Sequence, residues 1–188
     1  MRRLWFVLAF VVALAVIGWV LHQRFGGGGM AKGQLAHAKS EFTFTVQAPE
    51  AVTFPLFGPE GERPWAGPHW DPQFVYPLPA KDIEGAVFRV HHGHHSATWV
   101  NTAFDAQAGH AAYVYVIDGT LTMRIDVQLT PVDAATTSVR VMYERTALSP
   151  SINPDIAEMA QADAKAGPEW EQAIAKYLKG KDGGKTER

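Results

Sequence analysis

The stretch Ala111-Ala112-Tyr113-Val114-Tyr115-Val116-Ile117-Asp118-Gly119-Thr120-Leu121-Thr122-Met123-Arg124-Ile125-Asp126-Val127-Gln128-Leu129 decides the fold. Asp118-Gly119 between two apolar runs is a strong hairpin signal, because glycine accepts the positive φ that tight turns need. After the turn, Leu121, Met123, Ile125, Val127 and Leu129 fall on one face. Thr122, Arg124, Asp126 and Gln128 fall on the other. A period of two is that of a strand. One side of this hairpin is wet and the other is covered.

The same pattern extends outward. Thr136 to Thr146 reads as a strand after the turn at Asp133-Ala134-Ala135, with Val139, Val141 and Tyr143 opposing Arg140 and Glu144. Upstream, Ala86 to His92 and Ala97 to Phe104 flank Gly93-His94-His95-Ser96 as another hairpin. Phe42, Phe44 and Val46 alternate with Thr43 and Thr45 in a half-buried strand. Ala48-Pro49-Glu50 opens a short helical stretch carrying Val52, Phe54, Leu56 and Phe57, limited by Pro55 and Pro59. Residues Gly58 to Pro79 hold Trp65, Trp70, Phe74 and Tyr76 among prolines and read as irregular. Ile156, Met159 and Ala160, then Trp170, Ile174, Tyr177 and Leu178, recur at helical spacing, and Gly167-Pro168 should break or kink that helix. The expected fold is α+β: a curved antiparallel sheet wrapped around a long C-terminal helix, with a pocket between them.

Ahead of this domain, Leu4 to Leu21 contain no charge and no proline. At 1.5 Å per residue the run is roughly 27 Å long, enough to span a bilayer. Trp5 and Trp19 sit near its ends, where indoles favour the headgroup level. The expected division is an anchor over 1–25, a Gly-rich tether over 26–40, the domain over 41–180 and a polar tail over 181–188. A cleavable signal peptide would end in small residues, which Leu21-His22-Gln23-Arg24-Phe25 does not provide. Gly26 to Gly29 followed by Met30 also admits a start at Met30, with the helix as an added module. Arg2 and Arg3 favour a cytoplasmic N-terminus, so the expectation is a single-pass membrane protein with its domain periplasmic or extracytoplasmic.

The rest of the chain is about 150 residues, enough for one real core. Removing Arg2, Arg3 and Arg24 from the 17 basic residues leaves 14 against 19 acidic ones, a net charge of about −5. No basic run stands apart from the mixed tail, which argues against nucleic-acid binding. The absence of cysteine removes disulfides, thiolate metal sites and cysteine nucleophiles.

Specific words add to this order of elements. They are Phe44-Thr45-Val46-Gln47-Ala48-Pro49 with Val52-Thr53-Phe54-Pro55-Leu56-Phe57; Pro59-Glu60-Gly61-Glu62-Arg63-Pro64-Trp65; Trp70-Asp71-Pro72; Gly85-Ala86-Val87-Phe88; Thr98-Trp99-Val100; and Tyr143-Glu144-Arg145-Thr146-Ala147-Leu148-Ser149. With them the chain resembles the SRPBCC superfamily of START-like, birch-pollen-allergen-like and polyketide cyclase/dehydrase-like helix-grip proteins, over about Glu41 to Leu178. The resemblance implies a hydrophobic cavity between sheet and helix. It implies an apolar small molecule or lipid as partner, and no cofactor. It carries no catalytic motif, so fold membership alone does not make an enzyme.

Three constellations remain. Trp99, Tyr113, Tyr115, Tyr143 and Arg145 lie on strands. Tyr113 and Tyr115 share a face, as do Tyr143 and Arg145. If those faces look inward, their polar tips can hold a ligand carbonyl or carboxylate, or move a proton in a cyclase/dehydratase-type site. The alternative is a plain aromatic core. Glu62, Arg63, Trp65, His69, Trp70 and Asp71 read either as a pocket mouth, with Tyr76 beside them, or as a packed loop in which Glu62 or Arg63 holds backbone groups. The packed loop is the simpler reading. His91, His92, His94 and His95 carry imidazoles suited to zinc, copper or nickel, but His91 and His92 face opposite sides and no acid is near, so a polar hairpin end is expected rather than a metal site. A third role, as an accessory subunit of a membrane protein complex, rests only on the lone apolar helix.

Overall fold

The computed structural model describes residues 33–92 and 95–183. The chain divides between Gln34 and Leu35, and the domain that follows begins at Leu35. Residues 4–21, expected to span a membrane, lie outside the described residues. Among the described residues no helix is long and apolar enough to cross a bilayer.

The domain runs β1 (His37–Val46), α1 (Glu50–Thr53), a 3-10 turn (Phe54–Phe57), α2 (Pro59–Glu62), β2 (Gln73–Tyr76), β3 (Val87–His92), β4 (His95–Asp105), β5 (His110–Ile117), β6 (Leu121–Pro131) and β7 (Thr137–Ala147). A second 3-10 turn (Pro150–Ile152), α3 (Asn153–Asp163) and α4 (Gly167–Gly183) complete it. The strands form one antiparallel sheet in the order β1-β7-β6-β5-β4-β3-β2. Strands β2 to β7 are a meander, and β1 joins it beside β7.

The alternation read from sequence is the alternation of burial. Leu121, Met123, Ile125, Val127 and Leu129 are all buried, as are Val139, Val141 and Tyr143. Each such aliphatic side chain contributes about 1.5–3 kcal/mol by leaving water. The hairpin at Asp118 closes with Gly119 at φ +61° and Thr120 N–H donating to the Ile117 carbonyl at 3.0 Å. The turn at Asp133 is held by Ala135 N–H on the Asp133 carboxylate at 2.7 Å.

Register turns parity into geometry. Trp99 pairs with Tyr115, Tyr115 with Met123 and Met123 with Arg145, one row across four strands. The neighbouring row is Asn101, Tyr113, Ile125 and Tyr143. Both rows face the covered side. The residues singled out in sequence for sharing faces therefore converge on one patch of sheet.

The break expected at Gly167-Pro168 divides the C-terminal helix into two, because the chain turns at 164–166 and restarts there; Pro168 sits in the first turn of α4, where its missing N–H costs nothing. Two expectations are corrected. The segment Gly58 to Pro79 is not wholly irregular: it contains α2 and the edge strand β2, which pairs with β3 through a bulge between Phe74 and Tyr76. Residues 37–40, read as tether, are the start of β1 and pair with β7.

Both C-terminal helices lie against β1, and α3 also reaches β7. Ile156 on α3 and Ile174 on α4 are 1% and 0% exposed. Ile174→Ala should cost about 2–5 kcal/mol in urea unfolding, whereas Lys176→Ala, exposed on the same helix, should stay within about 0.5 kcal/mol.

Candidate functional site

The site is assembled where the loop-borne helix α2 meets the two inward rows of the sheet. Pro59 occupies the first turn of α2. The helix N-terminus is capped from a distance: the Asp82 carboxylate accepts from Glu60 N–H at 2.9 Å and from Gly61 N–H at 3.1 Å. This satisfies donors that a helix start leaves open. Two glycines permit the arrangement. A Cβ on Gly58 would lie 2.2 Å from the Asp82 carboxylate, and one on Gly61 would lie 1.8 Å from the Pro55 carbonyl oxygen.

Arg63 locks the next turn. Its Nε donates to Glu60 Oε1 at 2.7 Å, its Nη1 to Asp71 Oδ1 at 2.6 Å, and its Nη2 to the Pro72 carbonyl. Trp65 Nε1 donates to the Leu56 carbonyl at 2.8 Å and Trp70 Nε1 to the Pro59 carbonyl at 2.9 Å. Arg63 thus fits the packed-loop reading of the Glu-Arg-x-Trp word. Glu62 does not: its side chain makes no hydrogen bond or ion pair among the described residues, and it lines a cavity.

That cavity holds about 240 Å³. Its walls are Trp65, Trp70, Trp99 and Trp170, with Tyr113 and Tyr143 from the sheet and Glu62 and Glu169 as the charged members. Ile125, Val127, Ala66 and Ala173 fill the gaps. These four tryptophans are all that the domain contains. The rings meet edge to face: Trp65 and Trp170 at 5.3 Å, Trp70 and Trp99 at 5.3 Å. A ladder of Phe74, Phe88, Trp99 and Tyr115 runs behind them across four strands, with centroids 5.6, 5.8 and 4.3 Å apart. Such pairs hold aromatic walls in fixed orientation.

A second hollow of about 250 Å³ adjoins, sharing Trp70, Trp99, Ile125 and Tyr143 and adding Tyr115, Arg145 and Asp163. Here the charge is paired. Arg145 donates to Asp163 from Nη2 at 3.1 Å and contacts it again through Nη1, and Ser40 Oγ donates to the same carboxylate at 3.3 Å. The Arg145 guanidinium also lies 5.4 Å from the Tyr143 ring centre.

The electrostatics centre on Glu62. Burial, then the Asp82 charge, pushes its carboxyl well above the ordinary value of 4.5. Burial raises the Tyr113 and Tyr143 hydroxyls as well, with the Glu62 charge as the next cause in each case. Tyr115 is raised by burial and partly relieved by Arg145. Two buried polar atoms on this wall have no partner, Tyr113 Oη and Trp99 Nε1. Buried groups of this kind are normally bonded, so each marks a place where a ligand atom would be welcome.

Among the residues singled out in sequence, Trp65, Trp70, Trp99, Tyr113 and Tyr143 line the cavity, and Tyr115 and Arg145 line its neighbour. Tyr76 does not join them; on the edge strand β2 it is 58% exposed. His69 is exposed and Arg63 is engaged in the loop. His91 is exposed on β3, while His94 lies outside the described residues; among the described residues no three potential ligands come together around a metal position. Sequence reasoning gave Glu62 the pocket-mouth role only as its second reading, behind the packed loop, and it missed Trp170 and Asp82 in their roles. The signal for Trp170 was present in its helical spacing with Ile174. For Asp82 there was none.

No family model matches the chain, and no curated protein matches it. Solved structures do. Norcoclaurine synthase from Thalictrum flavum superposes with a TM-score of 0.56 at 10% identity, over 81% of this chain and 92% of that one. Ara h 8.0201 gives 0.53 at 16% identity, over 76% and 98%. The di-domain ARO/CYC BexL gives 0.57 at 16% identity, over 76% of this chain and 46% of that one. The fold is the helix grip. At these identities the likeness establishes the fold that the sequence words implied, and the chemistry must be argued from the helix grip's own cavity.

Gly61→Ala should unfold the protein or cost about 3 kcal/mol or more, because the clash is with backbone. Gly180→Ala, on a helix with nothing near its Cβ position, should instead gain about 0.5–1 kcal/mol. Glu62→Gln should raise the melting temperature. Glu62's folded pKa exceeds its unfolded one, so its stability contribution is complete below the unfolded pKa and is lost as pH rises toward the folded value. The advantage of the variant should therefore be absent at pH below 4.5 and widen as pH rises.

Proposed function

We propose that the domain binds an apolar small molecule in the cavity between the sheet and α4. One observation carries this reading: every tryptophan of the domain lines a single hollow in which Tyr113 Oη and Trp99 Nε1 are buried without partners. Ligand sites are mostly apolar and aromatic with a few convergent polar groups. Size favours a compact molecule. At about 240 Å³, with a further 250 Å³ adjoining, the space sits near the low end of the roughly 300–1,000 Å³ of small-molecule pockets, too little for a whole two-chain lipid.

Residues 4–21 would hold this pocket at a bilayer, where apolar molecules concentrate, with the domain on the extracytoplasmic side. The uninterrupted apolar run supports this. Chemistry in the cavity is the second reading, favoured by Glu62. A carboxyl raised well above its ordinary value beside two tyrosine hydroxyls is suited to general acid–base work. Arg145, placed in that role from sequence, is instead paired with Asp163.

Native mass spectrometry of the full chain released from detergent, paired with solvent extraction, tests the binding reading. A compact apolar molecule at one-to-one stoichiometry is expected, and Trp99→Ala should reduce its occupancy at least tenfold. A folded chain that neither retains any molecule nor shows tryptophan fluorescence changes with apolar probes would overturn it.

A further inference from the structure

Resting on that cavity reading, we infer that its ligand carries an amine, bound as an ammonium group against Glu62 and flanked by tryptophan rings. The cavity's charged lining is wholly acidic: Glu62 in the wall and Glu169 at the exposed rim, with no Lys, Arg or His. The two guanidinium groups nearby are taken. Arg63 is held by Glu60, Asp71 and the Pro72 carbonyl, and Arg145 by Asp163. Glu62, half-buried in the wall, therefore faces the rings with no donor from the protein, and a ligand that displaces water from its carboxylate must supply one.

An anionic ligand would be repelled by Glu169 and the nearby Asp82 and would hold Glu62 in its protonated form. A neutral apolar ligand would leave Glu62 unpartnered. An ammonium group satisfies the carboxylate and sits among the indole rings of Trp65, Trp70 and Trp170, whose π systems attract cations. Tyr113 Oη and Trp99 Nε1, both able to donate, would take a neutral oxygen elsewhere on the same molecule. The ligand class is a compact apolar amine bearing an ether, hydroxyl or carbonyl oxygen.

A proton balance follows. The groups facing Glu62 are Asp82 from the loop before β3, Tyr113 on β5, Tyr143 on β7 and Glu169 on α4; none is cationic. The empty site holds Glu62 protonated well above the usual carboxylate range. Binding an ammonium ion expels that proton to solvent as the ion pair forms, so amine affinity should rise with pH until Glu62 is fully ionised or the amine loses its own proton.

The test is calorimetry on the full chain with three probes of one shape: 2-phenylethylamine, 2-phenylethanol and 3-phenylpropanoate. The amine should bind at least tenfold more tightly than the alcohol, and the alcohol more tightly than the acid. Titrations in buffers of different ionisation enthalpy should show up to one proton released for the amine alone. In Glu62→Gln the amine preference should fall to within threefold of the alcohol and proton release should vanish. Equal affinity for amine and alcohol in the native chain, or an amine preference that survives Glu62→Gln, overturns the inference. The neutral reporter N-phenyl-1-naphthylamine separates the two claims. If it binds while the amine shows no preference, the amine inference fails and the apolar cavity stands. If neither it nor any phenyl probe binds, both fail.

Discussion

No side chain fits between residue 61 and the Pro55 carbonyl, and the position of the whole site follows from that contact. Because Gly61 lacks a Cβ, α2 can rest directly on the 3-10 turn that precedes it. Asp82 then reaches two N–H groups of that helix, and Arg63 clamps the following turn to Asp71 and Pro72. With both ends of the short segment fixed, Glu62 lines the cavity, and Trp65 and Trp70 are hung from the Leu56 and Pro59 carbonyls. A four-residue helix has almost no stability of its own, so these tertiary bonds do the positioning.

The sheet supplies the opposite wall by register. Two cross-strand rows place Trp99, Tyr115 and Arg145 beside Asn101, Tyr113 and Tyr143. The sheet and α2 treat charge differently. Arg145 is charged and nearly buried, yet Asp163 and the Tyr143 ring answer it. Glu62 is answered by nothing in the protein. Glu62 is half-buried rather than sealed, so water at the cavity mouth meets part of its desolvation cost, and the packed faces of β6 and β7 can offset the remainder. A local cost tolerated amid a well-packed core is a common property of binding and catalytic sites.

The legibility of the chain follows the same physics. The strands were readable because their alternation is local: Leu121 to Leu129 and Val139 to Tyr143 need no distant partner to declare a face. Parity also predicted that Tyr113 with Tyr115, and Tyr143 with Arg145, would point together. Which residue lies opposite which required the register. The edge strand β2 was hidden because its residues Gln73 to Tyr76 are bulged and closely followed by prolines, and Tyr76 was drawn into the pocket by its aromatic company although it faces solvent. Glu62 was given the wrong preference for a different reason. In sequence it is half of a Glu-Arg pair, and either half suits a structural clamp. Only the packed chain shows that Glu60 and Asp71, not Glu62, are the partners of Arg63. Asp82 caps α2 from 22 residues beyond Glu60, a contact with no local signature.

The central claim is that Glu62 is a carboxyl without a protein partner in an apolar, tryptophan-walled cavity. Its titration reads that claim directly. The side-chain carboxyl of Glu62 should be followed by 13C NMR across pH in the full chain, assigned by its loss in Glu62→Gln. A midpoint well above 4.5, moving lower when Asp82→Asn removes the neighbouring charge, is the predicted result. A midpoint at the ordinary carboxylate value, insensitive to Asp82, would mean that Glu62 is solvated or paired and would contradict the account.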